Sequence, residues 1–217
     1  MRLRNVKNAS VLLEEHPEWV VPRPEEWKGK WNSLFQEPGP IHLEIGCGKG
    51  RFLTQMAKAS PDIHFIGMEK FDSVIVRSLQ KLLKEPLDNV RLIRADAVRL
   101  DEMFAFGEVE TLYLNFSDPW PKPSHSRRRL TSPEYLARYR KLLKVGSSIH
   151  FKTDNFALFA FSMKSFVDAG MEIRRITLDL HRETDIPNIE TEFEQRFVAM
   201  GKPIFYFHAI LREEHAC

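Results

Sequence analysis

Cysteine is almost absent from this 217-residue chain: Cys47 lies in a glycine-rich segment and Cys217 is the last residue. Two residues so far apart provide neither a disulfide framework nor a cysteine-based metal site, and they fit a reducing, cytoplasmic setting. Long hydrophobic runs are also missing. No apolar stretch approaches the roughly 18 residues of a membrane span, and the basic start Met1-Arg2-Leu3-Arg4 leads into no apolar run of signal-peptide length. A membrane partner is therefore not expected. Net charge is small, +2 from 32 basic and 30 acidic residues, so the total identifies no polyanionic partner. Glycine is sparse, and three of the 10 fall between positions 46 and 50.

The remaining composition is that of a folded enzyme-sized unit. With 43% hydrophobic residues and 16 Phe, the chain can bury one full core and is short for two. Its charges are unevenly spread. From Lys122 to Lys152 there are nine Lys or Arg against the single Glu134, whereas Glu183 to Glu194 holds five acids and no base. One region suits phosphates, and the other suits hydrogen-bond donors on a ligand. Residues 1–40, with Pro17, Pro22, Pro24, Pro38 and Pro40 among Trp19, Trp27 and Trp31, read as an arm with a short helix whose tryptophans dock on the core. The main domain is expected over 41–213, with a loop over 119–131, an acidic segment over 183–197 and a tail over 214–217.

From Ile41 onward, strand-like runs alternate with helical patterns. The runs are 41–45, 63–68, 90–95, 109–116, 148–153, 172–180 and 204–211. The helices are expected over 51–59, 71–84, 133–144 and 155–169, with a less regular piece at 100–105. Ser132 and Pro133 open the third of these, and Gly146 follows its end. Such alternation requires crossover connections and predicts an α/β fold, doubly wound, with a mostly parallel seven-stranded sheet. Ligands of such sheets bind beyond the carboxyl ends of the strands. Acids stand near five of those ends: Glu44, Glu69, Asp96, Asp118 and Asp154.

Glu44-Ile45-Gly46-Cys47-Gly48-Lys49-Gly50 joins the first strand to a helix. Its glycines permit a tight turn and close approach of a ligand to backbone amides. The Gly-x-Gly-x-Gly spacing is shorter than the dinucleotide fingerprint, and Glu44 would repel a pyrophosphate while pairing with an ammonium group. Glu69 is placed to accept both hydroxyls of a ribose, and Asp96 to accept from an adenine amine, with Ala95 and Ala97 beside the ring. The set points to an adenosyl ligand without an essential phosphate. After the fourth strand comes Asn115-Phe116-Ser117-Asp118-Pro119-Trp120-Pro121-Lys122-Pro123, whose prolines stiffen a loop that presents Asp118 and Lys122. Next is Ser124-His125-Ser126-Arg127-Arg128-Arg129, able to contact phosphates without reading sequence.

These stretches, with Lys-Thr-Asp at 152–154 and Thr-Glu-Phe-Glu-Gln-Arg-Phe at 191–197, closely resemble the bacterial tRNA (guanine-N7)-methyltransferase family. The resemblance implies a class I methyltransferase fold and transfer of a methyl group from S-adenosylmethionine to guanine 46 of the tRNA variable loop. It implies a donor site at Glu44, Gly46, Gly48, Gly50, Glu69, Asp96, Ala97 and Asp118, with Asp118 also catalytic. Lys122, Asp154, Thr191, Glu192, Phe193 and Glu194 would meet the substrate, and Ser124, His125, Ser126, Arg127, Arg128 and Arg129 would touch RNA. Members are monomers or homodimers; tRNA is the expected partner, with no DNA and no metal. Competing readings are a methyltransferase for protein or small molecules, an RNA-binding module without catalysis, and an NAD-dependent oxidoreductase.

Overall fold

The computed structural model describes residues 8–213, so the basic N-terminus, Cys217 and the expected tail at 214–217 lie outside the described residues. Strands β1 (Ile41–Ile45), β2 (His64–Glu69), β3 (Val90–Arg94), β4 (Val109–Asn115), β5 (Leu143–Thr153), β6 (Met171–Thr177) and β7 (Phe205–Leu211) form one seven-stranded sheet. Its order is β3-β2-β1-β4-β5-β7-β6, and every neighbouring pair is parallel except the two made by β7. Chain order reverses between β1 and β4, which opens a crevice at their carboxyl ends.

Both faces of the sheet are covered because its strands alternate two buried sets. Leu43, Ile66, Leu112, Ile149 and Phe207 pack under α4 (Leu100–Met103), α5 (Pro133–Tyr139) and α6 (Phe156–Asp168). Phe65, Val90, Leu92 and Tyr113 pack under α1 (Ala9–Glu14), α2 (Arg51–Ala59) and α3 (Asp72–Lys84). A last helix, α7 (Glu192–Ala199), lies between β6 and β7. No helix among the described residues is long and apolar enough to cross a membrane.

Three boundaries differ from expectation. Helix α5 ends at Tyr139, not near 144, and β5 begins at Leu143, because Leu143 pairs with Val109 ahead of a register shift that Gly146, at φ 89°, helps the strand absorb. Strand β6 stops at Thr177, and a 3-10 turn follows at Leu180–Arg182. The 191–199 stretch is helical: Thr191 and Glu194 form a reciprocal capping box that fixes its first turn.

The segment before β1 is part of the packing. Val21 N donates to Leu92 O (2.9 Å), and Leu92 N to Trp19 O (2.7 Å), extending the edge at β3. Trp31 is fully buried, stacks on Phe104 with centroids 5.2 Å apart, and donates its Nε1 hydrogen to Met103 O at 2.8 Å. Trp31→Phe keeps a smaller aromatic ring but strands that carbonyl, and is expected to lower unfolding free energy by about 2 kcal/mol in urea titration. An unchanged midpoint would show that the segment is not anchored there.

Candidate active site

Strand β1 directs His42 and Glu44 to one face and Ile41, Leu43 and Ile45 to the other. The same parity places Tyr113 and Asn115 of β4, and His150 and Lys152 of β5, beside them. Glu44, Asn115 and Lys152 thus form a polar row across three adjacent strand ends, at the crevice. Asn115 Nδ2 donates to Glu44 Oε1 at 2.9 Å. Glu44 is 2% exposed, and burial pushes its carboxyl up to about 7, against the opposing pull of Asn115 and Lys152.

The turn after β1 is bound to the end of β2: the amides of Gly46 and Cys47 donate to Met68 O at 2.8 and 3.0 Å. Gly46, Gly48 and Gly50 all have φ between 60° and 75°, which L side chains rarely adopt. At Gly50 a Cβ would also meet Ser78 Oγ at 2.6 Å. Gly50 therefore seats the turn on α3 and is not among the residues that line the crevice.

Above this turn lies a cavity of about 970 Å³. Glu44, Gly46, Gly48 and Glu69 line one side, with Asp96 and Ala97 further along. Glu69 Oε1 accepts from the amides of Lys70 (2.8 Å) and Phe71 (3.1 Å), while burial raises its carboxyl above the usual range. Asp96 Oδ1 caps a 3-10 turn through Val98 N at 3.1 Å, so this acid has a structural bond as well as a place in the wall. Asp118, Trp120, Arg127 and Arg128 also line it, as do Thr191, Glu192, Phe193 and Arg196 of the α7 region.

The loop carrying Asp118 is held in an uncommon conformation. Phe116 and Trp120 both have positive φ, 51° and 40°. Arg129 latches the loop, donating through Nε to Pro119 O and through its terminal nitrogen to Trp120 O, both at 3.0 Å, with its guanidinium over the Phe161 ring. Two of the Arg129 donors are thus taken up by the loop itself. Arg128 lies over Trp120 at 4.9 Å from the ring centroid, and Arg127 pairs with Glu134 at 2.8 Å. Ser124 and Lys122 are exposed, His125 meets Trp120 edge-on, and Ser126 is half-buried; none of the four lines the cavity.

Asp154 and Glu194 stand apart from the cavity wall. Asp154 pairs with Lys202 at 3.3 Å and lies outside the cavity wall. Glu194 is fully buried: Lys152 Nζ donates to its Oε2, and His181 Nε2 and Asn188 Nδ2 lie at hydrogen-bond distance from its Oε1, so its carboxylate is occupied within the protein. The other acids of the 183–194 run also have protein partners. Glu183 accepts from Thr177, Asp185 pairs with Arg175, Glu190 faces His181, and Glu192 pairs with Lys81. Asn115 and Lys152 were not singled out from sequence, although both stand in the quoted motifs.

A family model described as "Putative methyltransferase" matches residues 38–207. A tRNA (guanine-N(7)-)-methyltransferase of Geobacillus sp. (strain WCH70) is 48% identical over 205 residues, covering 94% of this chain and 93% of the relative. The chain belongs to the tRNA (guanine-N7)-methyltransferase family. A protein of the same description from Bacillus subtilis (strain 168) is 46% identical, with 94% and 96% covered. The fold is that of class I methyltransferases: a SAM dependent methyltransferase from Aquifex aeolicus superposes with a TM-score of 0.57 at 13% identity, covering 93% of this chain and 97% of that one. The chain is an enzyme of methyl transfer, and its methyl donor is S-adenosylmethionine. The cavity fits that molecule: Glu44 Oε2, Asn115 Oδ1 and Ser117 Oγ are buried in its wall without partners among the described residues, suiting an ammonium group.

Proposed function

We propose that this enzyme methylates N7 of a guanine in tRNA, at position 46 of the variable loop, and that it does so in the cytosol. The observation that carries the reading is the meeting of two chemistries in one cavity. Carboxylates at the ends of β1, β2 and β3 line one side, while Lys49, Arg128 and Arg196, without ion-pair partners among the described residues, reach the same space. The names of the curated relatives agree with this substrate.

S-adenosylmethionine, when bound, supplies an electrophilic methyl group, and guanine N7 carries a lone pair and no proton, so no general base is required. The residues therefore have to align and to stabilise charge. Glu44 holds the ammonium end of the donor, Glu69 its ribose and Asp96 its base. Asp118, in the strained loop, accepts hydrogen bonds from the guanine edge and favours the positive charge that develops on the purine. Thr191, Glu192 and Phe193 form the acceptor-side wall, while Lys122, Arg127 and Arg128 meet the RNA backbone. A guanine paired in the folded tRNA has to leave its stack, at a cost of a few kcal/mol.

The test is incubation of unmodified tRNA with labelled donor, followed by mapping of the product. One 7-methylguanosine at position 46 is expected, and affinity for tRNA should fall steeply with added salt, as phosphate contacts require. Methyl transfer to another atom or another nucleotide would reject the assignment, as would transfer only to protein or small molecules.

A further inference from the structure

Lys152 is buried at the centre of the polar row, 4% exposed; its charge acts on Glu44, but its hydrogen bonds all lead away from the donor side. Its ammonium group has three hydrogens and three acceptors: Asn188 Oδ1 at 2.7 Å, Ile189 O at 2.9 Å and Glu194 Oε2 at 3.1 Å. All three belong to the connection between β6 and β7, which crosses the sheet on the side of α2 and α3. The apolar anchor of that connection is small, with Leu180, Ile204 and Tyr206 at its buried centre. Polar ties are correspondingly important to its placement.

Glu194 is fully occupied as well. Lys152 Nζ donates to Oε2, and Thr191 N approaches the same oxygen at 3.3 Å; Asn188 Nδ2 and His181 Nε2 lie 2.6 and 3.0 Å from Oε1. Thr191 Oγ1 in turn accepts from Glu194 N at 2.9 Å, closing the capping box. Lys152 thus grips the first turn of α7 through Glu194, and that turn carries Thr191, Glu192 and Phe193 into the cavity wall.

We infer that Lys152 is a positioning residue for methyl transfer, acting through Glu194 to hold the acceptor-side wall of the cavity against the sheet. The inference rests on the proposed RNA substrate only for which reactant meets that wall. The glycine turn and Glu69 are held by bonds of their own to β2 and α3, so the donor side does not depend on this grip. Removing the grip should therefore loosen one wall and spare the other.

The test compares the full chain with Lys152→Met, measuring steady-state methylation of unmodified tRNA, calorimetric donor affinity at about pH 8.5 and amide hydrogen exchange without RNA. The variant is expected to raise KM for tRNA about tenfold, with kcat and donor Kd each changed less than about threefold. Exchange should accelerate over residues 186–199 and remain unchanged over 41–50. Because Lys152→Met can fail to fold, Glu194→Gln is measured in parallel: Gln preserves the capping geometry but not the charge, and a smaller change in the same direction is expected. Faster exchange in the free Glu194→Gln enzyme separates loss of the grip from loss of a direct substrate contact. Unchanged exchange over 186–199 in the folded variants would overturn the inference, as would an unchanged KM or a donor Kd weakened as much as KM. If the wild-type chain leaves tRNA unmethylated, the substrate reading fails, while donor affinity and exchange still decide the role of Lys152.

Discussion

Glu44→Gln is expected to weaken donor binding about 100-fold while making the ligand-free protein more stable at neutral pH and above. Both effects come from one buried carboxyl group. Burial raises Glu44 to about 7. Its folded value is above its unfolded one, so between the two the folded state binds more protons, and the stability of the ligand-free enzyme falls as pH rises through that window. The loss amounts to about 3 kcal/mol by the upper end, and a Gln at this position does not incur it. On the proposed reading, that stability is given up to keep a carboxylate ready for the donor's ammonium group. Donor binding requires the ionised form, so wild-type affinity should be level above about pH 7 and fall by about tenfold per pH unit below it. Calorimetric titration with S-adenosylhomocysteine, which retains the ammonium group, measures this directly, and the variant should show a flat and weak profile. Equal affinity in the two proteins, or a wild-type profile that does not change with pH, would remove Glu44 from the donor site.

Strands β1 to β4 were legible in the sequence because each is a short apolar run closed by an acid or a glycine turn, and the crossover helices between them are amphipathic. The boundary between α5 and β5 was not. Residues 133–144 keep a helical pattern past Tyr139, and only tertiary pairing of Leu143 with Val109 ends it. Helix α7 was missed for a different reason. Its signal, Thr191 with Glu194 three residues on, is a capping box, but in a stretch so rich in acids it reads as a binding segment.

The site shows the same division. Sequence identifies which residue types stand at strand ends, and Glu44, Glu69, Asp96 and Asp118 do share one cavity. It does not show which way an acid in a charged run turns. Glu192 reaches the cavity wall and pairs with Lys81 at 2.6 Å, whereas Glu194, two positions later, is fully buried against Lys152. On a helix, positions two apart face different directions, so one of them must leave the ligand side. Asp154 and Arg129 are placed by partners distant in sequence, Lys202 in one case and the Phe161 ring in the other. Such pairings arise only on folding, and no local pattern announces them.

Asp118→Ala is expected to reduce kcat for tRNA methylation about 100-fold or more, with donor Kd changed by less than about threefold. Asp118 is exposed in the cavity wall and has no hydrogen-bond or ion-pair partner among the described residues. The loop nevertheless keeps Phe116 and Trp120 at positive φ on either side of it, a conformation costing about 1 to 3 kcal/mol per residue. Arg129 secures that shape with two bonds to loop carbonyls. On the proposed reading, the strained backbone presents this carboxylate to a reactant or a developing charge, and it contributes little to the fold. Alanine should accordingly leave the thermal midpoint unchanged or slightly raised. Single-turnover kinetics with saturating donor and tRNA separate the chemical step from binding. Asp118→Asn, which keeps an acceptor oxygen without the charge, should fall between wild type and alanine. Unchanged turnover in the alanine variant would withdraw the catalytic role, and a large loss confined to donor Kd would assign Asp118 to the donor alone.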